Sequence, residues 1–286
     1  MTRKQLVEQI HAKQSFLCVG LDTDITKLPK HLKDHPNGVV AFNKAIIDAT
    51  SAFCVSYKIN TAFYEAQGIK GWEAMQETLA YIPDHHFTIA DAKRGDIGNT
   101  SAQYAKTFFE VLPFDAITVA PYMGEDSVRP FLEYDNKFTI VLGLTSNIGS
   151  NDFQQLQLSE YNASLTMIPH ITQGTVEKRL YEHVLERVAS WGTADNLMFV
   201  VGATRASDLA QIRAIVPDHF LLVPGVGAQG GSLEEVARYG INKEVGLLVN
   251  ASRAIIFAGG EEDFAVQAAI VAEQYQAEMK TYLTKN

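Results

Sequence analysis

Eight short runs of apolar residues recur along the chain, at positions 16–21, 54–59, 87–90, 116–119, 139–144, 198–201, 220–223 and 246–249. Most are rich in Val, Ile and Phe and show little alternation with polar residues. A strand with one wet face alternates, whereas one buried on both faces does not, so these runs read as parallel strands inside a layered fold. Amphipathic segments lie between them. Trp72, Met75 and Leu79 within 71–81, and Leu180, Val184, Leu185 and Val188 within 177–189, fall at helical spacing. Segments 208–215 and 233–239 behave likewise. Repeated strand–helix alternation over a chain of 286 residues predicts an α/β fold, one (β/α)8 TIM barrel domain spanning 1–286. Two stretches, 23–43 and 147–173, exceed a simple repeat and are expected to be helical or loop decoration.

The polar residues that end these runs are what point to chemistry. The first run is followed by Asp22, and the second ends in Lys58 and Asn60. After the third comes Asp91-Ala92-Lys93-Arg94-Gly95-Asp96. Thr145 and Ser146 follow the fifth run, Pro224 to Gly227 the seventh, and Asn250, Ser252 and Arg253 the eighth. In a barrel all these positions share the C-terminal rim, where active sites form. Residues two apart on a strand face the same way, so Asp91 and Lys93 would project together. Asp96 lies beyond the strand and must reach back, or across to another subunit. Cations and anions interleaved at strand ends suit proton transfer or charge stabilisation; a surface salt-bridge cluster is the plainer alternative.

Composition narrows the partners. The net charge of −9 argues against a general nucleic-acid surface, and an anionic substrate would need a local positive site. No apolar run approaches the length needed to span a bilayer, and the first residues lack a signal-peptide core, so a cytoplasmic location is expected. Cys18 and Cys54 each sit inside an apolar run and read as buried thiols. His85-His86 precedes a strand, on the rim away from the chemistry, and reads as structural.

Gly225-Val226-Gly227-Ala228-Gln229-Gly230 fits a dinucleotide fingerprint, G-x-G-x-x-G. Its place after the seventh strand, the stiff Pro224 before it and the lack of an acidic residue at a following strand end weigh against that. A glycine-rich loop offering backbone N–H groups to a single phosphate fits better. Gln229 can add an amide donor and Arg253 a bidentate contact. The alternative is a plain turn. Asp22 offers two acceptors to a sugar hydroxyl pair, or acts as a cap or turn residue.

Asp91-x-Lys93-x-x-Asp96-Ile97 followed by Thr100 resembles the signature of orotidine 5′-phosphate decarboxylases. Lys58, Asp22, the segment from Gly225 to Gly231, and Ser252-Arg253 fall where that family has its motifs, and the match spans about 16–257. The stretch around Lys58 is similar to the longer bacterial-type subgroup. The resemblance implies conversion of orotidine 5′-monophosphate to uridine 5′-monophosphate and CO2, the last step of pyrimidine nucleotide synthesis. It also implies a carbon–carbon lyase with no metal or organic cofactor, working as a homodimer. In that family Lys58, Asp91, Lys93 and Asp96 would be catalytic, with Asp96 entering the partner's site. Asp22, Ile97, Thr100, Ser146 (or its neighbour Thr145), Pro224, Gln229 and Arg253 would bind substrate.

Three rivals stand beside this expectation. A metal-dependent sugar-phosphate enzyme of the same barrel group uses the same D-x-K-x-x-D element to help hold Mg²⁺. Lys58 argues against it, since a cation there would repel the metal. A phosphate-binding protein without turnover would not need the full set of lysines and aspartates. A dinucleotide-dependent oxidoreductase is the most distant.

Overall fold

A computed structural model of the protein describes residues 1–159, 177–202, 206–226 and 231–284. Ten strands are present among them: β1 (Leu17–Gly20), β2 (Ser56–Asn60), β3 (Phe87–Arg94), β4 (Ala116–Val119), β5 (Phe138–Leu144), β6 (Gln157–Ser159), β7 (Glu177–Arg179), β8 (Leu197–Val201), β9 (Phe220–Pro224) and β10 (Leu247–Ala251). Eight of them, all but β6 and β7, close a parallel barrel in the order β1-β10-β9-β8-β5-β4-β3-β2. Every apolar run of the sequence supplies one of these eight. β1, β4, β8 and β10 are buried at every position, as expected of strands covered on both faces.

Helices cover the outside. The longest, Phe264–Leu283, lies beside the helix Gly38–Thr50, where Phe42 stacks on Phe264 with ring centroids 4.9 Å apart. The N-terminal helix Arg3–Lys13 begins in a capping box between Thr2 and Gln5 and buries Leu6 and Ile10. It lies under the entrances of the strands. Arg3 binds the carbonyls of Ala194 and Asp218 and the Glu244 carboxylate, while Lys13 binds the carbonyls of Ser51 and Cys54. His86 belongs to this lower end, 1% exposed and with Nε2 2.7 Å from Lys13 Nζ, in keeping with a structural role. Cys18 and Cys54 are both buried and free. No described helix is long and apolar enough to cross a membrane.

Boundaries differ from the sequence expectation where polar residues continue an element. The decoration after β1 contains a 3₁₀ turn, Ile25–Lys27, and a short helix, Lys30–Lys33, but ends before Gly38. Residues 38–43 already belong to the first covering helix. The helix expected over 177–189 begins only at Leu180, because Glu177–Arg179 is β7, paired antiparallel with β6. The Glu182 carboxylate accepts from the Arg179 N–H at 2.6 Å and so fixes that helix start. The remaining decoration expected in 147–173 includes the turn of helix Ser150–Phe153; its later part lies outside the described residues.

Candidate active site

β3 runs four residues past its apolar core, and this places the acidic and basic groups. Its pairing with β4 slips: Ala90 faces Ile117 and Arg94 faces Val119, so four steps along β3 match two along β4. Lys93 sits in that irregularity with φ 47°, a left-handed conformation that costs a non-glycine residue on the order of 1–3 kcal/mol. Its N–H donates to Thr118 Oγ1 at 2.9 Å instead of joining the strand ladder.

The side chains form one alternating row. Lys58, from β2, donates to Asp22 Oδ1 at 3.2 Å and to Asp91 Oδ2 at 3.0 Å. Lys93 Nζ donates to Asp91 Oδ1 at 2.6 Å. Asp91 Oδ1 also accepts from Thr118 Oγ1 at 3.0 Å. Lys58 and Asp91 are nearly buried, at 5% and 11% side-chain exposure, while Lys93 is half exposed at 51%. Burial alone would neutralise Lys58, but Asp22 and Asp91 outweigh it and raise its pKa. Burial likewise disfavours the Asp91 charge, yet Lys58 and Lys93 prevail and hold its carboxyl far below the usual range. Lys58 and Asp91 therefore both stay ionised across neutral pH.

This row forms part of the wall of a cavity of about 320 Å³ at the C-terminal ends of the barrel strands. Asp22, Lys58, Asp91, Lys93, Thr145, Ser146, Pro224 and Arg253 line it, joined by Asn147 and Asn250. Three cations (Lys58, Lys93, Arg253) face two carboxylates (Asp22, Asp91), giving a local charge of +1 in a chain of −9. Leu142, Val200 and Leu222 supply an apolar floor. Gly225, at φ 92°, turns the chain out of β9 as a residue with a Cβ rarely does, and Val226 bridges to Gly231. The ends of the glycine-rich loop are thereby drawn together beside the cavity, whereas Gln229 lies outside the described residues.

The remaining expected residues stand apart. Asp96, Ile97 and Thr100 do not line the cavity. Asp96 Oδ1 accepts from the Ile97 N–H at 2.8 Å, and Ile97 is 59% exposed. Two positions escaped the sequence reading. Thr118 is a hydroxyl in an apolar run, which looks like an ordinary β-branched strand former. Gln154, in the decoration after β5, accepts from the Thr145 N–H and donates to Thr145 Oγ1, each at 2.8 Å, and so sets the rim loop that carries Ser146. Only the excess length of that decoration hinted at it.

Residues 15–268 match the model of the orotidine 5′-phosphate decarboxylase / HUMPS family. A Christiangramia forsetii protein named orotidine 5′-phosphate decarboxylase is 56% identical over 288 residues, covering 100% of both chains. One of the same name from Phocaeicola vulgatus is 55% identical over 283 residues, 98% of each chain. Among solved structures, Leishmania donovani OMP decarboxylase superposes with a TM-score of 0.75 at 34% identity, covering 97% of this chain and 99% of that one.

Proposed function

The chain belongs to the orotidine 5′-phosphate decarboxylase / HUMPS family, and from that premise we propose that its rim cavity turns orotidine 5′-monophosphate into uridine 5′-monophosphate and CO2. The observation that carries this reading is the row Asp22–Lys58–Asp91–Lys93 at the cavity wall.

In the reaction the bond from C6 of the pyrimidine to its carboxylate breaks, CO2 leaves, and the electron pair stays on C6. No imine or similar sink spreads that charge, so a cation held beside the carbon must stabilise it. Preorganised electrostatics of this kind are often the largest catalytic contribution. Lys93 takes this role: its ammonium faces the developing carbanion and then transfers a proton to C6. Asp91 keeps Lys93 aligned, and Lys58 helps keep Asp91 ionised. Arg253 and Gln229 grip the phosphate, with Pro224 shaping the loop entry. Asp22 holds ribose hydroxyls, and Ser146 reads the pyrimidine edge. Binding energy from the distant phosphate orders the site for the chemical step. The role of Lys58 as a bridge between Asp22 and Asp91 favours this over a divalent-metal mechanism, in which those carboxylates would have to be released.

The active species is a homodimer in this reading. Asp96, Ile97 and Thr100 lie outside their own cavity and serve the partner's. Exposed apolar residues on the loops after β3 and β4, Ile97, Tyr122 and Met123, give the contact its non-polar surface. Two free buried thiols suit the reducing cytoplasm.

The test is the ultraviolet absorbance of orotidine 5′-monophosphate mixed with purified protein, with and without EDTA. Loss of the orotate chromophore in both samples is expected. Persistence of the chromophore with folded, dimeric protein would overturn the reaction, and loss that EDTA prevents would overturn the charge-row mechanism.

A further inference from the structure

Thr118 does not line the cavity, yet it holds two parts of the charged row at once. Its hydroxyl accepts from the Lys93 backbone N–H at 2.9 Å and donates to Asp91 Oδ1 at 3.0 Å. A hydroxyl has one hydrogen to give and lone pairs to receive with, and here both are used on the reacting side of the barrel. Its residue is fully buried, at 0% exposure, so the hydroxyl itself has no access to bulk water. The contact falls inside the slip between β3 and β4, where Lys93 has left the regular ladder. Burial of a threonine on a barrel strand does not by itself produce such bonds. Thr139, one strand further on β5 and also at 0% exposure, has a buried hydroxyl with no hydrogen-bond partner in the described structure.

We infer that Thr118 is a positioning residue for the decarboxylation: it fixes the Lys93 backbone and the Asp91 carboxylate in one geometry, so that the Lys93 ammonium stands where the carbanion forms. The inference rests on the decarboxylase reading above. Removing the hydroxyl takes from the Lys93 N–H its Thr118 acceptor and leaves Asp91 Oδ1 with Lys93 alone. The irregular turn then relaxes and the ammonium shifts, while the groups that grip the nucleotide stay in place.

The experiment compares Thr118→Val, which keeps the shape, and Thr118→Ser, which keeps the hydroxyl, with the unmutated chain. Steady-state kinetics with orotidine 5′-monophosphate is read alongside calorimetric binding of uridine 5′-monophosphate and thermal unfolding. In Thr118→Val, kcat should fall about 10- to 100-fold, the scale set by a misplacement near 1 Å. KM and product affinity should stay within about twofold, and Thr118→Ser should recover most of the rate, because the hydroxyl alone carries both bonds. Should valine crowd the strand and unfold the chain, Thr118→Ala gives the same reading. A folded Val or Ala variant with unchanged kcat, or one in which only KM or the melting temperature moves, would overturn the inference. So would a serine variant as slow as valine. An unmutated chain without turnover would overturn the decarboxylase reading itself, and this inference with it.

Discussion

Asp91 accepts hydrogen bonds from three side chains drawn from three strands: Lys58 on β2, Lys93 on its own strand and Thr118 on β4. Two of those donors were legible in the sequence, because a charged residue at the end of an apolar run has no packing reason to be there. The third was not, since a threonine fits a strand whether or not its hydroxyl is used. The pKa directions of Lys58 and Asp91 follow from the same contacts, which could be inferred only once the strand ends were known to converge. Arg253 presents the opposite case. It is exposed at the cavity edge, so its removal should leave folding intact. Arg253→Ala should lower kcat/KM about 10- to 100-fold, as expected when charge-assisted hydrogen bonds are lost, with an unchanged melting temperature. Steady-state assays beside thermal unfolding check this, and an unaltered kcat/KM would take Arg253 out of the site.

Elements were legible in their cores and less so at their ends. The run at 87–90 announced β3, but the strand continues to Arg94 because the barrel neighbours still offer partners to a polar chain. At β7, three charged residues that read as the start of a helix pair instead with β6, a long-range choice that helical spacing cannot reveal. Packing between loops is equally hidden. Gly202 follows β8 closely beneath the rim loop after β5, and a Cβ there would lie 2.8 Å from the Ser146 backbone nitrogen. That atom belongs to backbone and cannot swing away. Gly202→Ala should therefore displace Ser146 and raise KM for orotidine 5′-monophosphate several-fold, with the smaller effect on kcat, since groups that bind the ring equally in ground and transition state act on KM. A variant with wild-type KM would show that the two loops have room to spare.

At the scale of the molecule, the barrel was readable because all eight of its strands carry the same apolar signature, whereas assembly leaves only the outward placement of Asp96 and a few exposed apolar residues. Mixing separately inactive Lys93→Ala and Asp96→Ala chains tests the proposed sharing of residues. If Asp96 serves the partner's cavity, each mixed dimer holds one intact site, and activity should return to roughly a quarter of wild type after random exchange between twofold dimers. No recovery after confirmed exchange would mean that Asp96 acts within its own chain. Stability has its own signature. Burial, followed by nearby cations, lowers the pKa of His86 and of His219 to about 4. An unfolded histidine titrates near 6.5, so the unfolded chain binds more protons between these values. This part of the stability is complete above about pH 6.5 and declines as pH falls toward 4. Melting temperatures should drop across that window, and His219→Phe should flatten the drop; an equally steep fall in that variant would clear His219 of any part in it. Finally, the helix Arg3–Lys13 lies across the strand entrances, and the cavity lies at the opposite ends. Such a vessel has a floor below and its hollow at the rim. If nucleotide and gas leave by that same rim, CO2 departs past the ring it has just left, and the next nucleotide waits for the last.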